Sequence, residues 1–219
     1  MQNCTYGTKP LEIAAYLRVC LPNLERAKIE AVIATYCEPW RTYHNLNRLW
    51  GMVKSAEQHF KSDCTVKEWQ ALLVSIIYSK AVYKVGGWLD DQERASADWA
   101  SEDVHQAGGS EFLAGCVWAE IYATKTHTLD GVPAQYQKIT SMLLDLNLES
   151  LGLPEKEFTQ TTEAIWHEFQ PIVDRQEYDR RRRIWAKGFL DRPQIFHTEK
   201  LRSLYEDQAR SNLTQLWEA

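Results

Sequence analysis

Apolar residues recur along this chain at i, i+3, i+4 and i+7 rather than in alternation. Leu11, Ala14, Ala15 and Leu17 form one stripe, and Ile29, Val32, Ile33 and Tyr36 a second. That is the period of a helix with one buried face. Pro22 suits a first helical turn, whose amide hydrogens have no partner to lose, and Pro39 ends the helix that follows. A third helix is predicted from near Tyr43 past Val53. Thr65 and Glu68 have capping-box spacing directly ahead of Trp69, Leu72, Leu73, Ile76 and Ile77, which predicts a buried helix from Val66 to about Ser79.

Gly86 and Gly87 interrupt the pattern, and Asp91 to His105 then reads as an amphipathic, polar helix. Gly108 and Gly109 break it again before an apolar stripe from Glu111 to Lys125 and a loop from Thr126 to Pro133. Further helices are expected from Ala134 to about Leu146, Pro154 to about Ile172, Tyr178 to Leu190 and Glu199 to Trp217. No segment alternates as a strand would. The fold class is therefore all-α. No repeat, low-complexity run or Gly/Ser/Pro-rich linker marks a boundary, so the expectation is a single-domain helical bundle over residues 1–219.

Composition adds to this picture. The chain has 219 residues, 44% hydrophobic and 25% charged, enough to bury a core. Nine tryptophans and ten tyrosines stand against ten glycines, which suits packed helices better than a sheet with many turns. A formal net charge of -5 disfavours nucleic acid as a partner for the whole surface. No apolar run approaches the roughly 20 residues of a membrane helix, and Met1 to Pro10 lacks the order of a signal peptide. A cytoplasmic protein without a membrane partner is expected. Cys4, Cys20, Cys37, Cys64 and Cys116 show no metal-ligand spacing and read as reduced thiols.

Groups able to carry chemistry are scattered: His44, Asp90, Asp91, Glu93, His127, Asp145 and Glu168. Nucleophile elbow, phosphate-cradling glycine loop and HExxH are absent. The order of local motifs says more. Arg41-Thr42-Tyr43-His44-Asn45-Leu46 is followed by Ala81-Val82-Tyr83, then by Asp91-Gln92-Glu93 with Ser96-Ala97. After these come Ala123-Thr124-Lys125-Thr126-His127, Asp145-Leu146-Asn147-Leu148 with Leu151-Gly152, and Ala209-Arg210-Ser211-Asn212-Leu213. Block by block this resembles the predicted metal-dependent HD-superfamily phosphohydrolases, whose members run RxYHNLxH, FHDxVY, DNExxSA, ATxxH, DxDLSxLG and ARxNL. The resemblance implies a helical bundle in which histidines and aspartates from separate helices hold a divalent metal. Such an ion activates water and neutralises phosphate, so the implied activity is hydrolysis of phosphate esters, nucleotides among them.

The chain departs from that pattern at the metal. Ser79-Lys80 stands where the family has its His-Asp doublet, Arg48 where the first block has its second histidine, and Asn147 where the fifth has its second aspartate. Trp166 stands where the family carries an arginine. These exchanges remove two negative charges and add two positive ones. At about 4 Å, two unit charges interact by roughly 4 kcal/mol even at an effective dielectric near 20. A divalent cation would meet repulsion, and no cofactor is expected.

Lys80 is then expected in the former metal position, paired with Asp145 and near His44. Lys80, Arg48 and Arg182 are the candidate ligand-binding residues for a phosphate or nucleotide. The chain reads as a degenerate phosphohydrolase, a binding or regulatory module with a protein partner or a second copy of itself. The alternative is a working hydrolase with a displaced divalent metal on His44, His127 and Asp145, served by Asp91 and Glu93.

Plainer readings accompany each of these. His44 and His127 bridge helices; Asp145 is satisfied by Lys80 or a backbone donor; Asp91 and Glu93 form the charged first turn of a helix. Arg180 to Arg183, set among Asp174, Glu177, Asp179 and Asp191, read as an ion-paired face rather than a nucleic-acid site. Ser79 beside Lys80 has the makings of a serine-lysine pair, without an oxyanion motif to support it.

Overall fold

The computed structural model describes residues 6–86 and 91–218. Among them the regular structure is helical, with no strand. Ten α-helices follow in order: α1 (Lys9–Cys20), α2 (Arg26–Thr35), α3 (Leu46–His59), α4 (Val66–Tyr78), α5 (Gln92–Gln106), α6 (Glu111–Ala123), α7 (Ala134–Leu148), α8 (Glu155–Phe169), α9 (Arg175–Leu190) and α10 (Glu199–Glu218). None is long and apolar enough to cross a membrane. Cys20, Cys37, Cys64 and Cys116 are not joined in disulfides. Cys4, Gly87 and the candidate Asp90 lie outside the described residues.

The chain divides into two compact units, Met1–Leu144 and Asp145–Ala219, and the division falls within α7. In the first unit α4 is the central element, packed against α1, α3, α5 and α6. It is buried all round from Ala71 to Tyr78, as a helix with apolar residues on every face must be. Its start is fixed by the expected capping box: the Glu68 amide donates to Thr65 Oγ1 at 3.3 Å and the Thr65 amide to Glu68 Oε2 at 2.7 Å. Thr65→Ala should lower the thermal midpoint of unfolding, with a loss of about 1 kcal/mol.

Pro22 does not open α2, which begins at Arg26. The Leu24 amide bonds Leu21 O at 3.0 Å, so the residues around the proline form a turn. The third helix starts at Leu46 rather than near Tyr43, because the Asn45 side chain caps it, accepting from Asn47 and Arg48 amides.

In the second unit α10 packs on α9 and on a short 3-10 turn, Glu149–Gly152, which also meets α8. Gly152 is obligatory there: a Cβ at this position would lie 2.4 Å from Tyr205 Cβ. Arg180 and Arg181 both pair with Glu177, and Lys187 pairs with Asp191, an ion-paired face of α9.

Candidate functional site

The site in the first unit is built around Arg41. Its guanidinium is buried, with the rings of Tyr36, Trp40 and Tyr83 lying 5.3, 5.4 and 5.5 Å away. Nε donates to Glu38 at 2.8 Å, Nη1 to Lys80 O at 2.7 Å and His44 O at 3.4 Å, and Nη2 to Ala81 O at 3.4 Å. A buried cation needs such partners, and these tie the first sequence block to the backbone of Lys80 and Ala81. The Lys80 amide completes the join by donating to Tyr36 Oη at 3.0 Å. Burial pushes the Tyr36 hydroxyl up to about 12, so it remains a neutral phenol there.

Above this base His44 packs between Tyr43 and Tyr83, at ring distances of 4.8 and 4.4 Å. Arg48, on the first turn of α3, lies 5.7 Å over Tyr43. Trp40 stacks on Tyr83 at 5.6 Å. The Lys80 ammonium donates to Glu93 Oε1 at 3.1 Å. The expected pairing of Lys80 with Asp145 is thus corrected to Lys80 with Glu93, an acid 13 residues away on the first turn of α5. Burial opposes ionisation of Glu93, but the Lys80 charge outweighs it and holds the carboxyl below its ordinary value.

Asp91 caps α5 by accepting from the Arg94 amide at 3.1 Å, and its other oxygen takes Lys125 Nζ at 2.8 Å. Chiefly that bond holds its carboxyl below the ordinary value. The second and third blocks meet where Val82 N and O both bond Ser96 Oγ, at 3.0 and 3.2 Å. The Ser79 hydroxyl donates to Ile76 O at 3.0 Å and is buried, so it is turned into α4 rather than presented as a nucleophile. His127, in the turn after α6, holds the left-handed region at φ 53, with its amide on Ala123 O at 2.9 Å.

Asp145 belongs to the second unit and helps to shape it. Its carboxylate accepts from the His197 and Thr198 amides, both at 2.7 Å, and from Thr198 Oγ1 at 2.6 Å. Burial pushes its carboxyl up, against these donors and the His197 ring. Fifth and sixth blocks meet in the same unit, where Asn212 Nδ2 donates to Leu151 O at 2.7 Å and Leu153 O at 2.8 Å. Arg182 lies 4.0 Å over Trp185, Trp166 packs on Tyr178 at 5.0 Å, and Glu168 is buried.

Among the described residues no three His, Cys, Asp or Glu side chains gather as a metal-ligand set. Of the residues that the resemblance aligns with metal ligands, Lys80 is an ammonium bonded to Glu93, and in the other unit Asp145 accepts from N–H and O–H donors. The residues missed from sequence are Arg41 as a hub and the buried acids Asp103 and Glu120. Both acids sit at helical spacing within apolar stripes, Ala97-Ala100-Asp103-Val104 and Cys116-Val117-Glu120-Ile121, which is a legible signal. No family model, no curated protein and no solved structure matches this chain.

Proposed function

We propose that the chain is a degenerate HD-superfamily phosphohydrolase-like protein that works without a metal, as a binding module for a phosphate-bearing ligand such as a nucleotide. The observation that carries this reading is the Lys80 ammonium, at the position that the resemblance aligns with the second residue of the metal-binding doublet: Glu93 Oε1 accepts from it, and Arg41 ties the block containing His44 to Lys80 O. A cation there replaces the ion as the source of positive charge. Lys80 offers donors to a phosphate, since an ammonium held by one carboxylate oxygen keeps further N–H groups, and Arg48 adds positive charge on the first turn of α3. Hydrolysis would lack a group to generate hydroxide.

Metal analysis of protein purified without chelators and dialysed against metal-free buffer is expected to give near-zero transition metal per chain. Calorimetry with inorganic phosphate and with ADP is expected to show binding that weakens about tenfold or more in Lys80→Gln, the value of a charge-assisted hydrogen bond. A stoichiometric metal in the unsubstituted chain, with phosphoester hydrolysis, would overturn the proposal in favour of the working hydrolase.

A further inference from the structure

Position 120 lies on the face of α6 that packs against α4, one helical turn after Cys116. Apolar residues fill such a face by default, yet Glu120 is 0% exposed. Its Oε1 accepts from the Cys116 thiol at 2.9 Å. Its Oε2 and the Ser75 hydroxyl on α4 are both buried and have no other partner; they lie beside each other across the seam without a hydrogen bond of good geometry. We infer that Glu120 is a proton-carrying latch of the first unit: as a neutral acid it closes the seam between α4 and α6, and loss of its proton to solvent weakens that seam.

The argument rests on what surrounds the carboxyl. On its own helix the titratable neighbour is the Cys116 thiol. From α4 the near group is the Ser75 hydroxyl, while Glu68 at the helix start is bonded to Lys138 at 2.8 Å and to Thr65. Cys64, just before α4, lies 3.8 Å from Met142 of α7 and within reach of the Glu120 charge. Lys138, the cation of α7 on this side, also donates to Asp63 O. Acids of α5, packed on the same helix, are held elsewhere: Asp98 by Trp118, Glu102 by Gln106, Asp103 by Lys28 and Tyr78, and Glu93 by Lys80.

Among the described residues, then, Glu120 faces a thiol and a hydroxyl and is bonded to no cation. A carboxylate in such a place is unstable, whereas the neutral acid has both a donor and an acceptor to offer. Burial accordingly pushes the Glu120 carboxyl up to about 7.

The sign of the linkage follows from that rise. Opening the seam exposes an acid with an ordinary value near 4.5, so each opening between that value and about 7 releases a proton. The latch is fully closed below that window and loosens as pH rises through it. Hydrogen–deuterium exchange of α4 and α6 amides, corrected for intrinsic rates, reads this directly. From about pH 5 to about pH 7 the unsubstituted protein should lose protection in α4 and α6 roughly tenfold per pH unit. The same amides in Glu120→Gln should keep constant protection, and the α10 amides should show no such change in either protein. Should Glu120→Gln fail to fold, Glu120→Met keeps the volume without a titratable group and serves in its place. Infrared spectra with labelled glutamate should show a protonated carboxyl at about pH 6 that is missing from the variant. Flat protection in the unsubstituted protein, an undiminished loss in the variant, or an ionised Glu120 at pH 6 overturns the inference.

Discussion

Asp103→Ala should destabilise the first unit by about 2–3 kcal/mol, since truncation removes the acceptor of two hydrogen bonds, one of them charge-assisted and one from a buried phenol. Asp103 is 0% exposed on α5 and joins three helices. Oδ1 accepts from Lys28 of α2 at 2.6 Å, and Oδ2 accepts from the Tyr78 hydroxyl of α4 at 2.8 Å. Truncation strands the phenol, whose surroundings are equally dry, while Lys28 can turn part of its chain to water. Tyr78→Phe, which leaves the Lys28 pair intact, should cost only about 1 kcal/mol. Urea unfolding combined with amide exchange in α4 and α5 distinguishes the two. Equal losses in both variants would mean that the ion pair contributes nothing beyond the hydroxyl bond.

Asp145→Ala should produce a comparable loss, about 3 kcal/mol, confined to the second unit. The side chain satisfies two backbone amides and one hydroxyl ahead of α10, and all three donors would be left without their acceptor. Thr198→Val removes one of these bonds and should cost about 1 kcal/mol. Exchange protection in α10 is the measurement, since Leu201 and Arg202 amides bond to Thr198 and start that helix. A metal-ligand role predicts another result: little change in α10 protection and a loss of bound metal.

The helices were legible where the signal is local. Thr65 and Glu68 announced α4 because a capping box lies within one turn, and the observed helix ends within a residue of the expected end. α9 begins at Arg175, earlier than the apolar pattern at Tyr178, because the Asp174 side chain caps the Glu177 amide over a polar first turn. Periodicity registers burial and is silent where a helix starts on polar residues.

The site was legible in its parts and illegible in its pairings. His44, Lys80 and Glu93 were each singled out, and the bond between Lys80 and Glu93 spans the end of α4 and the start of α5. Charge arithmetic required an acid for Lys80 and a donor for Asp145, and it could not say which. Burial and chain path made the choice, giving Asp145 to backbone amides, one of the partners its type allows. Asp103 and Glu120 carried a signal in their place within apolar stripes, but periodicity names the buried face and not the partner that keeps an acid there, so both were passed over.

The bonds that close the first unit come from its late elements. Lys28 waits for Asp103, Glu68 for Lys138, and Cys64 for Met142, separations of 75, 70 and 78 residues. A chain leaving the ribosome at roughly 5–20 residues per second therefore exposes α1 to α3 for seconds before α5 and α7 emerge to hold them. During synthesis the burden of keeping that apolar surface from other chains falls on the cell's chaperones, and a pause in translation after α3 would lengthen it.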